Sequence, residues 1–177
     1  AIIFEFSFFL FILFFLIKKN KTATNYFTIQ PLYLFFLIIE GFLYGLFLIM
    51  LLSNLNIFAI NNITYNPNFL ENIYLSIGAG VWEEILFRGI LLTSLLYLFS
   101  KFNLIKVNLY KFLSILTISI LFSSLHYFGN SAEIFSNYTF TIRALAGIYL
   151  GYLYLYRGIG VVCMCHISYN VIIEILK

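Results

Sequence analysis

From Leu32 to Leu52 the chain carries a single charged residue, Glu40. A stretch of that length and polarity is enough to cross a bilayer, which takes about 20 apolar residues. Similar runs recur along the 177 residues. They predict spans at about Ile2–Ile17, Leu32–Leu52 (entered through Pro31), Phe69–Phe99, Tyr110–Phe128, Tyr138–Tyr156 and Gly158–Leu176. In lipid every backbone N–H and C=O must find a partner within the protein, so such spans are helices. Composition agrees: 63% of residues are hydrophobic and 10% charged, against roughly 45–50% and about 25% in soluble domains. Too few polar groups remain to cover a surface facing water. The predicted fold is all-α, a polytopic membrane helical bundle of six transmembrane helices, forming one compact unit. The third run is too long for one perpendicular span, and is expected to be tilted, kinked near Gly78 and Gly80, or partly interfacial. The Asn-rich stretch Asn54–Asn68, with Pro67, reads as a loop. The chain opens at Ala1 inside an apolar run and reads as a fragment or processed form; Lys18-Lys19 after Ile17 argues against a signal peptide.

The cations orient the bundle. Lys18, Lys19 and Lys21 fall between spans one and two, Lys101, Lys106 and Lys111 between three and four, and Arg157 between five and six. Six alternating spans put all three connections on one side, which the positive-inside rule makes cytoplasmic. The opposite loops, Asn54–Asn68 and Gly129–Asn137, hold no Lys or Arg. The expected location is the cell membrane, multi-pass, with the Lys-rich loops in the cytoplasm.

In such a chain the polar residues are the informative ones. Glu83, Glu84 and Arg88 lie together in the third span. At about 2.5–3.5 kcal/mol for each charge at a helix centre, leaving them unpaired would cost on the order of 8–10 kcal/mol. Glu84 and Arg88 are four residues apart and share a helix face, so they can pair. Glu83 points about 100° away and stays free for chemistry. Gly78 and Gly80 would let another helix come close. The only two histidines, His126 and His166, also fall in predicted spans, and His166 shares a face with Asn170. One carboxylate, two imidazoles and a carboxamide from three helices can thus converge on one cavity. A buried ion-pair network that only fixes packing is the plain alternative for the charged cluster.

Three motifs carry a resemblance. Glu83-Glu84-Ile85-Leu86-Phe87-Arg88 fits EExxxR, Phe122 to His126 fits FxxxH, and His166-Ile167-Ser168-Tyr169-Asn170 fits HxxxN. In order and approximate spacing the chain resembles the CPBP (Abi) family of intramembrane proteases, which includes CAAX prenyl endopeptidases and bacteriocin-processing or immunity proteins. The resemblance covers about Ile73 to Ile175 and divides the chain into N-terminal helices and loop over 1–68 and a protease domain over 69–177. The first two spans have no job that the sequence identifies.

The resemblance implies an endopeptidase that cuts a membrane-associated, prenylated or leader-bearing substrate with activated water. Glu83 and His126 would activate the water, His166 and Asn170 would stabilise the oxyanion, and Glu84 and Arg88 would hold the geometry. Glu83, His126 and His166 are also a plausible zinc set with an open position for water. The HExxH spacing of common zinc proteases is missing, and the metal-free glutamate mechanism is preferred. The expected partners are membrane lipid and a protein or peptide substrate, with no nucleic acid. A transporter or proton relay using the same Glu/His cluster, and a non-enzymatic immunity protein, are the rival functions. Among the remaining polar residues, Cys163 and Cys165 are expected to be buried, inert thiols. Glu40 is expected to pair with Arg88 or Arg143, and Glu174 to stand outside the site.

Overall fold

The structure is a computed structural model and describes residues 31–53, 68–102, 106–129 and 133–176. The first predicted span lies outside the described residues, as do Lys18, Lys19, Lys21 and Lys177. The chain divides into two units, Ala1–Tyr33 and Leu34–Lys177. Only Pro31–Tyr33 of the first are described, and the helical bundle belongs to the second.

The described residues are helical and contain no strand. The elements are α1 (Pro31–Ser53), α2 (Phe69–Glu84), a π-helical segment (Ile85–Leu92), α3 (Thr93–Phe102), α4 (Val107–Leu125), α5 (Asn137–Arg157) and α6 (Ile159–Ile175). Four of the predicted spans match α1, α4, α5 and α6 within a few residues at each end. The third differs in how it is built. Residues 69–102 wind continuously through Gly78 and Gly80, and the change in their helical hydrogen bonding comes in the π-helical segment. The wider π turn lets Thr93 Oγ donate to the Arg88 carbonyl at 3.0 Å, five residues back. π turns inside α-helices are rare and are frequently found at functional sites. Two helices, Leu32–Ser53 and Val107–Leu125, are long and apolar enough to cross a membrane, and Ile159–Ile175 is a shorter apolar helix.

Small residues bring these helices together. A Cβ on Gly80 would stand 2.8 Å from Ile167 Cγ1 and 2.9 Å from the Ile167 backbone nitrogen, so α2 lies against α6 at backbone contact there. A Cβ on Gly78 would meet nothing within 4 Å among the described residues. Gly41 and Gly45 of α1 meet Met164, Cys165 and Ser168 of α6 in the same way, and Gly147 of α5 meets Ser119 of α4. Close backbone approach through small residues is how helices associate where lipid tails are as apolar as the side chains themselves.

One apolar cluster, with Leu48, Leu52, Leu150, Val162 and Cys165, fills the space between α1, α5 and α6. A second, with Phe87, Leu92, Ile115, Ile118 and Phe122, joins the π segment to α4. The outer surface is also apolar: Phe35, Phe36, Leu43 and Phe47 on α1, and Tyr74, Leu75 and Ile77 on α2, are all exposed. Glu84, Arg88, Ser114, Ser119, Ser123 and His166 are buried instead. Apolar outside and polar inside is the arrangement lipid favours and water does not.

The remaining charges find partners unlike those expected. Glu40 does not pair with Arg88 or Arg143. Its carboxylate takes two bonds from Arg157 at the end of α5, one of them Nη2–Oε2 at 2.6 Å. Arg88 and Arg143 are engaged by nearer acids, Glu84 and Glu133. Glu174, buried at the end of α6, accepts from Asn72 Nδ2 at 2.8 Å, tying α6 to α2. Both cysteines are free thiols, Cys163 half-buried and Cys165 fully buried.

Candidate active site

The site is built around the junction of α2 and the π segment. Arg88 Nη1 donates to Glu84 Oε1 at 2.8 Å, the pairing their spacing predicts. Both side chains are essentially inaccessible, at 1% and 0% exposure. Arg88 is held twice more: Nη2 donates to the Gly147 carbonyl of α5 at 3.2 Å, and the guanidinium lies 4.9 Å over the face of Phe122. A desolvated cation on an aromatic face gains about 2 kcal/mol. The burial of Arg88 is thus compensated by three helices together.

Spacing alone does not reveal the second bond that Glu84 accepts. Its Oε1 also meets His166 Nδ1 at 2.7 Å. A carboxylate only accepts, so Nδ1 carries the hydrogen and the opposite ring nitrogen, Nε2, is turned toward Glu83, 3.8 Å from Oε2. His166 therefore stands between the two glutamates. Glu84 Oε2 has no hydrogen-bond partner among the described residues.

His126 lies just beyond the end of α4, in the turn that succeeds it. Its Nδ1 is 2.9 Å from the Phe122 carbonyl. A carbonyl cannot donate, so Nδ1–H points at the backbone, and in the neutral ring the lone pair is on Nε2. Phe122, the first residue of the FxxxH match, is the packing centre of the whole group. Its ring is 5.1 Å from that of His126 and 6.1 Å from that of His166, and it meets Phe87 edge-on at 5.0 Å. On α6, Asn170 donates a long bond from Nδ2 to the Ser76 carbonyl of α2 at 3.4 Å.

A cavity of about 310 Å³ joins these groups: Glu83, His126, His166 and Asn170 all line it. Glu84 and Arg88 lie behind its wall. The second predicted span, given no job by the sequence, contributes Leu48 of α1 to this lining. The cavity is also lined by Glu133, Ile142 and Arg143, none of which the motifs include, and by Tyr169, an unspecified position of the HxxxN match. Glu133 and Arg143 are visible in the sequence as isolated charges on either side of the start of α5, but only the fold aims both at one space. Glu83, His126 and His166 share the cavity, yet among the described residues no three His, Cys, Asp or Glu side chains are grouped closely enough to hold a metal ion.

Comparison with known proteins agrees with the motifs. No curated protein and no solved structure matches the chain. The family model described as Type II CAAX prenyl endopeptidase Rce1-like matches residues 65–172. That range runs from before α2 almost to the end of α6 and contains all three motifs, and the chain belongs to this family of membrane-embedded CAAX-type proteases.

Proposed function

We propose that the protein is a multi-pass intramembrane endopeptidase in which Glu83 and His126 activate water to hydrolyse a peptide bond of a substrate held at the membrane. A prenylated C-terminal tail is the substrate class the family name supplies. The observation that carries the reading is the His166 bridge: Nδ1 on Glu84 and Nε2 facing Glu83, in a cavity shared with His126 and Asn170.

Glu83 is the accessible glutamate of the pair, with a quarter of its side chain exposed. It accepts a proton from water as the water oxygen attacks the scissile carbonyl, and Nε2 of the neutral His126 ring is the second acceptor on the same cavity. The carbonyl oxygen becomes an oxyanion. The second N–H of Asn170 and, when its ring is protonated, His166 Nε2–H donate to it, each such donor contributing a few kcal/mol. Glu84 offsets the charge of the protonated His166 ring and fixes its orientation. The proton taken from water then passes to the leaving amine, and the peptide bond breaks.

A quenched peptide with an S-prenylated cysteine followed by three aliphatic residues, offered to purified protein in vesicles, tests this reading. We expect cleavage after the cysteine at a rate that a chelator leaves unchanged. Loss on chelation with recovery on zinc addition would overturn the metal-free mechanism, and failure to cut this peptide or a leader peptide would overturn the proteolytic one.

The proposed topology is six spans with Lys101, Lys106, Lys111 and Arg157 at the cytoplasmic end. In intact cells a membrane-impermeant thiol reagent should label Asn62→Cys and spare Lys106→Cys. Equal labelling of the two would sink this orientation.

A further inference from the structure

Arg143 lines the same cavity as the proposed catalytic groups, six residues into α5, and the mechanism gives it nothing to do. Its guanidinium lies 5.8 Å over the Tyr127 ring, and Nη1 makes only a long contact, 3.4 Å, to the Tyr127 hydroxyl. Among the described residues its one close partner is Glu133, whose Oε1 is 2.6 Å from Nη2. A guanidinium fork is shaped to hold a carboxylate through two parallel bonds, and Glu133 is met by one arm. Glu133 is half exposed, on the non-helical connection before α5, and its backbone N–H donates to the His126 carbonyl at 3.2 Å. An ion pair whose acid stands half in water is weak and exchangeable. Glu133 thus occupies a carboxylate position at the edge of the cavity, and an incoming carboxylate can displace it.

We propose that Arg143 is a substrate-binding residue that takes the free C-terminal carboxylate of the peptide to be cut, with Glu133 as its resting occupant. This rests on the proteolytic reading of the site. A cavity of about 310 Å³ is at the small end of ligand pockets, which run about 300–1,000 Å³. It suits a short chain end rather than the middle of a folded segment. Holding that end at Arg143 would place a bond a few residues upstream beside Glu83, and would make the distance from the C-terminus part of the specificity.

The test compares the prenylated peptide as free acid and as C-terminal amide, binding to Glu83→Gln protein by fluorescence anisotropy. The acid should bind about tenfold more tightly or better, the scale of one charge-assisted contact. Arg143→Gln should erase that preference by weakening the acid alone. Glu133→Gln should strengthen the acid and leave the amide unchanged, the opposite direction from a pair that merely braces the fold. With Glu83 restored, the same pattern should appear in KM, with kcat little changed. Acid and amide binding alike, binding of neither, or Arg143→Gln weakening both equally would overturn the assignment. An amidated peptide ending in Asp that binds as well as the acid would overturn the terminal carboxylate in favour of a side-chain one. A persistent acid preference without cleavage would strike the proteolytic reading and leave the carboxylate site standing. Should Arg143→Gln fail to fold, Glu133→Gln and the acid–amide comparison still decide.

Discussion

Glu83→Gln should lower peptide hydrolysis by roughly 10²–10⁴-fold, the share that a positioned general base supplies, while the protein stays folded. The substitution keeps side-chain volume and hydrogen-bonding capacity and removes only the ionisable carboxylate. The geometry distinguishes Glu83 from the buried ion pair: Arg88 is bonded to Glu84, and Glu83 faces His166 Nε2 at 3.8 Å. Thermal stability in detergent should therefore hardly move while kcat collapses. A folded Glu83→Gln protein with full activity would overturn the assignment of the base.

Glu84→Gln should fail differently and in two ways. Glu84 Oε1 accepts from both Arg88 and His166 at full burial. Removing the charge leaves the buried Arg88 cation bonded, among the described residues, to neutral groups: the amide oxygen that replaces Glu84 Oε1, the Gly147 carbonyl and the Phe122 ring. Breaking a buried pair by removing one partner costs roughly 3–5 kcal/mol, to be read as a large drop in melting temperature or yield. Activity per folded molecule should fall as well, because His166 loses the carboxylate that orients it. Adding Arg88→Met should restore part of the stability and none of the activity. A Glu84→Gln protein with unchanged melting would refute the network, and one whose loss of activity tracks unfolding alone would refute the second role.

That second role marks where the sequence stops being legible. Spacing on one helix predicts that Glu84 and Arg88 meet and that Glu83 turns elsewhere, because those are local facts of helix geometry. It does not predict that His166, 82 residues away, bonds to Glu84, since that depends on where α6 crosses α2. The same limit explains Glu40. Arg88 and Arg143 are the candidates within predicted spans, but the helix that runs beside α1 ends in Arg157, and proximity decides the pairing. Four helices were readable almost to their ends because apolar runs have sharp edges. The π segment was not: Ile85–Leu92 is more apolar than the helices on either side, and the extra width of its turns has no hydropathy signature of its own. Glu133 and Arg143 escaped for a related reason. They belong to no motif, and only the return of α5 past the end of α4 brings them to the cavity.

Where glycine sits at the helix crossings has a further consequence, for how this sequence is free to drift. The outward faces of α1 and α2 meet a solvent that does not distinguish Phe from Ile or Leu, so exchanges among them there are close to neutral and can follow whatever bias the coding DNA imposes. At Gly80 or Gly45 the smallest side chain already collides with a neighbouring backbone, and no compensating change elsewhere on the surface can relieve it. Ancestry in such a chain is written in its smallest and its few charged residues, while the greasy majority is free to turn over without altering what the protein is.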